Sequence, residues 1–358
     1  MSNLTIMTFN ISDNTTVLSN ATIDEENPPT WSGNNGLFYL VICILATLSN
    51  GSTLLILLCD RRLRTKPFNV YVINLLSANL FSSLVQYPMA VVTERLGGHW
   101  HMGRSACFLY LHCLVAVSQG MLNTHALIAT NRVWAIVHPV SYRSHHSLRF
   151  ALFACGTIWL WIHFFGILFL AVVPIGLDLD KDGCQFDAIA DLGIFSWLPL
   201  ANDFITLVIP FCIVMLSFPV IVVRMVRQLR VRQRPGPPTA MVLLLSQQNG
   251  QEVNPNTTAA ATESQASQRR MFGRYFVLTL LTMSVAIFYT PMISFDLFVD
   301  FVSNFSPDHP SYYEWSIILY ACQSFFDPIL FILSLEQLRG KVMQLLKCRC
   351  CHSACVGT

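Results

Sequence analysis

An all-α integral membrane fold, a bundle of seven membrane-crossing helices, is the class this sequence predicts, and three observations carry it. The 358 residues are 53% hydrophobic and only 12% charged, about half the charged fraction usual for a soluble domain. Seven apolar windows, 37–59, 68–92, 105–137, 149–174, 195–226, 272–299 and 311–334, are long enough to span the bilayer; a helix needs roughly 20 residues to cross about 30 Å of hydrocarbon. The basic residues collect on one side of that arrangement. The loops 60–67, 138–149 and 227–271 and the tail after 335 hold nearly all of them, and only Arg95, Arg104 and Lys181 fall on the opposite face. The positive-inside bias places the N-terminus outside and the C-terminus in the cytoplasm.

Residues 1–36 contain no Lys or Arg and no apolar core, so no cleavable signal peptide is read there. Sequons at Asn3, Asn10, Asn14 and Asn20 point to a disordered, glycosylated extracellular tail. The bundle is expected over 37–335. Its first window carries Asn50; its second carries Asn79 and, above it, Pro88. Trp100 and Gly103 lead into the third window, which must tolerate Ser118, Gln119, Asn123, Thr124 and His125 and ends on Asn131 and Arg132. Pro139 opens the next loop, and Trp159 lies in the fourth window. Twelve cysteines are present, but only Cys107 and Cys184 fall at extracellular positions, so a disulfide between them is expected.

The fifth window contains Pro210 and runs into Arg224, Arg227, Arg230, Arg232 and Arg234. Residues 235–267, rich in Pro, Gln, Asn, Ser and Thr, read as a mobile loop, and Arg269, Arg270 and Arg274 follow it. These arginines either anchor the topology or contact a cytoplasmic partner. The sixth window holds Pro291, the third outer loop a further sequon at Asn304, and the seventh window Asp327 and Pro328. In 336–347, Leu338, Val342 and Leu345/Leu346 share one face, which reads as a short helix lying on the membrane within a cytoplasmic tail, 336–358. Cys348, Cys350, Cys351 and Cys355 follow it as a palmitoylation site, with metal binding as the alternative. No internal repeat supports a transporter. No nucleophile–base pair or metal cluster supports an enzyme, and neither a cofactor nor nucleic acid is an expected partner.

In order and spacing, Asn50, Asn79, Cys107, Arg132, Trp159, Pro210, Pro291 and Asp327-Pro328 resemble the landmarks of rhodopsin-like (class A) G-protein-coupled receptors, over residues 37 to about 355. The resemblance implies a cell-surface receptor coupling an extracellular ligand to a heterotrimeric G protein, with kinked helices that swing to admit it. It implies a ligand pocket lined or rimmed by Gln86, Tyr87, Tyr110, Leu114, Ser118, Gln119, Asp203, Tyr289, Asp296 and Trp315. Leu114 stands where amine receptors place an Asp, and Ala321 where opsins carry the retinal-linking Lys. An amine held in that manner and a Schiff-base photoreceptor are therefore not expected. The acidic outer loops favour a cationic partner such as a basic peptide, or are simply a solvated surface.

The departures from the family pattern are concentrated along the activation path. Asn79 replaces the Asp that anchors a buried sodium ion, Met121 a nearby Ser, and Asp327 the usual Asn, so the carboxylate has moved from span two to span seven. Asn131 and Met271 replace the two acidic partners of the arginine. Tyr289 and Val285 replace a Trp and a Phe, Phe218 and Phe331 replace two tyrosines, and His125 replaces a bulky apolar residue. His125 is read as a hydrogen-bonded structural histidine or as a titrating switch. Basal activity follows from one set of changes, and a non-signalling scaffold, decoy or heteromer partner from the other.

Overall fold

A computed structural model describes residues 34–95, 100–172, 184, 197–232, 279–295, 297 and 310–355. The sequons Asn3, Asn10, Asn14, Asn20 and Asn304, the loop 235–267, Met271 and Asp296 lie outside the described residues. In chain order the helices are α1 (Asn34–Cys59), α2 (Arg61–Arg64), α3 (Pro67–Phe81), α4 (Tyr87–Arg95), α5 (Gly103–Val137), α6 (Pro139–His145), α7 (Leu148–Val172), α8 (Leu198–Asp203) and α9 (Ile209–Arg232). Then come α10 (Thr279–Phe295), α11 (Pro310–Ser334) and α12 (Glu336–Cys355). Among the described residues, six stretches are long and apolar enough to cross a membrane: Gly36–Cys59, Pro67–Thr93, Gly103–Val137, Leu148–Leu168, Leu200–Arg224 and Trp315–Ser334. The apolar helix α10 is shorter. The chain is thus an all-α, multi-span membrane bundle.

The α5 helix is the axis of the bundle, packing against α3, α7 and α9. Its position explains how an apolar span tolerates so many polar residues. Ser118, Gln119, Thr124, His125 and Asn131 are all buried, facing protein rather than lipid. On the rim the pattern inverts: α7 turns Leu152, Phe153, Leu160, Phe164 and Ile167 outward, as a lipid-facing helix must. Where α5 and α7 cross, a Cβ on Gly120 would lie 2.6 Å from the Trp159 ring, so only glycine permits that approach. Trp159 Nε1 donates to Asn74 Oδ1 at 2.8 Å, and Asn74 Nδ2 donates to Thr124 Oγ1 at 2.8 Å, which ties α7, α3 and α5 together.

Prolines shape the remaining helices. A proline has no N–H to offer the carbonyl four residues earlier, and its ring crowds that carbonyl. Ahead of Pro88 and of Pro210 the chain widens into one π turn, at Ser82–Gln86 and at Phe204–Val208, and each turn contains the crowded carbonyl. Two of the affected carbonyls are bonded by asparagines from neighbouring helices. Asn123 Nδ2 reaches the Thr206 carbonyl, four before Pro210, at 2.9 Å. Asn50 Nδ2 reaches the Ser324 carbonyl, four before Pro328, at 2.7 Å. Inside a membrane no solvent can supply such donors, so the bundle must.

At the other end of α11 the chain turns directly into α12. Leu338 is fully buried, Val342 is half-buried, and Leu345 stays exposed. The helix continues to Cys355 rather than stopping before Cys348, because no proline or glycine interrupts it between Lys341 and Cys355.

The asparagine bonds predict a thermodynamic coupling. Asn50→Leu strands the Ser324 carbonyl and should cost roughly 1–3 kcal/mol, read as a lower unfolding temperature in detergent. In a Pro328→Ala background the helix supplies its own N–H, so the same substitution should cost distinctly less. An equal cost in both backgrounds would contradict the assignment.

Candidate functional site

The landmark residues meet in the buried middle of the bundle. Asp327, on α11, is fully enclosed, and three side chains converge on its carboxylate. Asn79 Nδ2 from α3 donates to Oδ2 at 2.9 Å. Gln323 Nε2, one turn earlier on α11, donates to Oδ1. His125 Nε2 from α5 lies 3.3 Å from Oδ2, close enough for ionic attraction but outside hydrogen-bonding alignment. Gln323 also reaches Ser284 Oγ on α10 at 3.4 Å. One carboxylate therefore joins α3, α5 and α11 directly, and α10 through Gln323.

The aromatic residues continue this contact outward. The His125 ring meets the Tyr289 ring edge-on at 6.1 Å, and Tyr289 meets Tyr320 of α11 in the same way at 5.4 Å. Tyr289, Val285 and Phe331 are all buried, and Phe218 is half-buried on α9. On the α1 side, Tyr87 Oη lies 2.9 Å from Ser324 Oγ, beside the carbonyl that Asn50 bonds.

Of the residues expected around a ligand pocket, Gln86, Tyr87, Ser118, Gln119 and Tyr289 are buried. Tyr110, Leu114 and Asp203 are half-buried. Gln86 accepts from Ser82 Oγ at 2.9 Å, and Asp203 Oδ1 accepts from Asn202 at 3.0 Å. Trp315 is placed differently: it is 64% exposed, while Ser316 beside it is buried. Successive helical residues point about 100° apart, and it is Ser316 and Tyr320 that face the bundle. Trp315 therefore lies on the exposed side of α11. At this end Cys107 is bonded to Cys184 with the Cα atoms 5.5 Å apart. Trp100 packs beside the bridge and donates from Nε1 to the Gly103 carbonyl at 2.8 Å, with Gly103 in the left-handed region at φ 78°.

The basic end of the bundle carries Arg132. Its guanidinium lies over the Phe68 ring of α3, 3.5 Å from the centroid. Both residues line a cleft of about 270 Å³ with Lys66, Asn69, Ser334, Leu335, Glu336 and Gln337. Asn131, beside it, turns to α6 and the residue that follows it instead. It donates from Nδ2 to His146 Nε2 at 2.8 Å and accepts from Tyr142 Oη at 3.2 Å. His146 stacks on Tyr142 at 4.5 Å and on Tyr71 at 5.9 Å. Burial, reinforced by the charge of Arg132, holds the His146 pKa below the usual histidine value. Among the described residues no group of three or more His, Cys, Asp or Glu is arranged to hold a metal ion.

A membrane bundle built on a polar centre, with an arginine-lined cleft at one end and a bridged loop at the other, defines the class; comparison with known proteins gives the family. The profile described as "7 transmembrane receptor (rhodopsin family)" matches residues 49–331, and the chain belongs to that family. It is a multi-pass membrane protein of that family. It is 27% identical over 147 residues to the human D(1B) dopamine receptor, covering 40% of this chain and 29% of that one. It is 30% identical over 158 residues to melanopsin from Rutilus rutilus, covering 42% and 30% respectively. The Caenorhabditis elegans tyramine receptor Ser-2 is 25% identical over 122 residues, covering 34% and 27%. The matched region thus spans less than a third of each of these relatives.

Two outcomes follow for this site. Restoring the common arrangement with Asn79→Asp plus Asp327→Asn should give better surface expression than Asn79→Asp alone, which places two acids side by side in low dielectric. Equal expression of the single and double variants would remove the coupling. For His146 the folded pKa lies below the unfolded value near 6.5, so the unfolded chain takes up the proton first. Stability should be full above about pH 6.5 and fall as the pH drops through the lowered value. His146→Gln should flatten that part of the stability profile.

Proposed function

We propose that the chain is a plasma-membrane receptor that passes an extracellular signal to a heterotrimeric G protein, with seven crossings and its basic end in the cytoplasm. The observation that carries this reading is the Arg132 cleft, an open basic-end site joined through α5 to the Asp327 centre. In this reading α10 is the sixth crossing, whose flanks at 272–278 lie outside the described residues. The bond between Cys107 and Cys184 then lies on the oxidised side. Asn3, Asn10, Asn14, Asn20 and Asn304 are glycosylated there, and Cys348, Cys350, Cys351 and Cys355 are palmitoylated at the opposite leaflet.

The residues set limits on the ligand. The relatives above include receptors named for dopamine and tyramine, yet Leu114 offers no carboxylate to a ligand ammonium at the place those receptors use. Melanopsin is another relative, but Ala321 cannot form a Schiff base. The acidic loop residues Asp178, Asp180, Asp182, Asp187, Asp300 and Asp308 favour a cationic peptide or small molecule. The family's sodium site is altered here: Asn79 replaces its charged donor, Met121 replaces a hydroxyl, and the His125 imidazole flanks the carboxylate that has moved to Asp327.

Receptors of this family rest with the inner-end arginine restrained by neighbouring acids. Here Asn131 spends its side chain on His146 and Tyr142, and Arg132 rests on Phe68. The basal-coupling reading rests on the replacement of the two family acids by Asn131 and Met271, and it gives measurable ligand-free coupling. The second reading, a non-signalling scaffold or heteromer partner, is favoured by Phe218 and Phe331, which lack the hydroxyls of the active arrangement. At matched surface expression, basal coupling across the G-protein classes should exceed vector. Arg132→Ala should abolish it, and Asn131→Asp should lower it about five-fold or more, the smaller end of the usual coupling range. Wild-type signal equal to vector, with none restored by Phe218→Tyr plus Phe331→Tyr, would establish the scaffold reading instead.

A further inference from the structure

Between the basic end of α1 and the exposed side of α12 lies an open groove of about 610 Å³. Its lining divides by chemistry. Leu55, Ile56 and Leu345 form an apolar wall, with Leu55 62% and Leu345 52% exposed. Arg61, Lys341 and Gln344 form a polar mouth beside Cys59 and Asp60. Among the described residues Asp60 is the single carboxylate of that mouth, and it is already engaged. It accepts from the Arg62 amide at 2.9 Å, capping α2, and pairs with Lys341 Nζ at 3.0 Å. The Lys341 ammonium holds the Asp60 carboxyl below the usual carboxylate range, with the Arg62 amide adding to it.

One carboxylate thus faces the two cations Arg61 and Lys341, and the mouth keeps a surplus of positive charge. The apolar wall continues the outward surface of α1, where Leu48, Leu55 and Leu58 are exposed. An apolar channel open to hydrocarbon, with basic groups where the hydrocarbon ends, has the complementarity of an amphiphile with a negative head. The geometry points to a binding site for one anionic glycerophospholipid, its phosphate at Arg61 and Lys341 and an acyl chain along Leu55, Ile56 and Leu345. The inference rests on the proposed orientation, which places this groove at the cytoplasmic leaflet, where anionic lipids reside. A soluble protein partner fits poorly, because the wall lies at membrane depth. An acyl chain carried covalently by Cys59 would fill the wall but leave the basic mouth unanswered.

Native mass spectrometry of the full chain, delipidated in detergent and titrated with phosphatidylserine, phosphatidylcholine or glycerophosphoserine, tests the site. Phosphatidylserine should be retained at lower concentration than phosphatidylcholine, and glycerophosphoserine should not bind, since it lacks the chain. Arg61→Gln with Lys341→Gln should weaken phosphatidylserine binding about five- to thirty-fold, at roughly 1 kcal/mol per basic group, and leave phosphatidylcholine unchanged. Leu345→Trp, at an exposed position, should weaken both lipids, while Arg143→Gln in the second basic loop should weaken neither. Equal retention of the two lipids, equal binding by the Arg61/Lys341 variant, or a native acyl group on Cys59 would overturn the proposal. The measurement uses no G protein, so its failure leaves the signalling reading standing, and an absence of signalling leaves the lipid site standing.

Discussion

A carboxylate in the middle of a membrane bundle has to be answered by its neighbours, because the hydrocarbon on every side offers no hydrogen bond. Asp327 is that group here. Asn79 and Gln323 donate to it, and His125 stands 3.3 Å away. Removing one partner from such a buried set is costly, about 3–5 kcal/mol for a charged pair. The three helices that supply these residues are thereby held in one register. Much of what lies above and below follows from it: the Tyr289 and Tyr320 rings set edge-on outward from His125, and the single helix α5 that runs from His125 to Arg132.

The same constraint governs the prolines. Each weakens its own helix, and at Pro210 and Pro328 the carbonyl that loses its partner is served from another helix by Asn123 or Asn50. A kink held in this way is a joint rather than a break. The helix bends at a place where its neighbour grips it, so movement at one end is passed on across the interface. In a receptor of this family that is the property the fold needs. The altered residues leave the joints in place while changing what surrounds them.

Much of this architecture was readable in the residues. Length and apolarity alone mark the crossings, since the bilayer sets the length and water excludes the rest. The meeting of Asn79 and Asp327 was readable because two polar residues at the same depth have few other places to turn. Pairing of His125 with that carboxylate was not, because helical spacing says which face a residue occupies and not which neighbour it meets. The π turns before Pro88 and Pro210 were also invisible, since a proline demands relief but does not say whether a kink or a wider turn provides it. The position of Trp315 depends on how α11 is rotated in the bundle, which its composition does not encode. The Phe68 platform under Arg132 was missed for a related reason: an aromatic residue at a helix start reads as ordinary core. The loop chemistry of His146 depends on three segments meeting, and no local pattern announces that.

The dependence of the bundle on the Asp327 centre is open to direct measurement by a double-variant cycle of thermal stability on purified receptor, using His125→Phe, Asp327→Asn and the pair together. If His125 and Asp327 are partners across α5 and α11, each single change should destabilise, and the double variant should be more stable than the sum of the two by at least about 1 kcal/mol. Additivity within about 0.3–0.5 kcal/mol would show that the two residues are merely neighbours, and that the centre described here does not hold the bundle together.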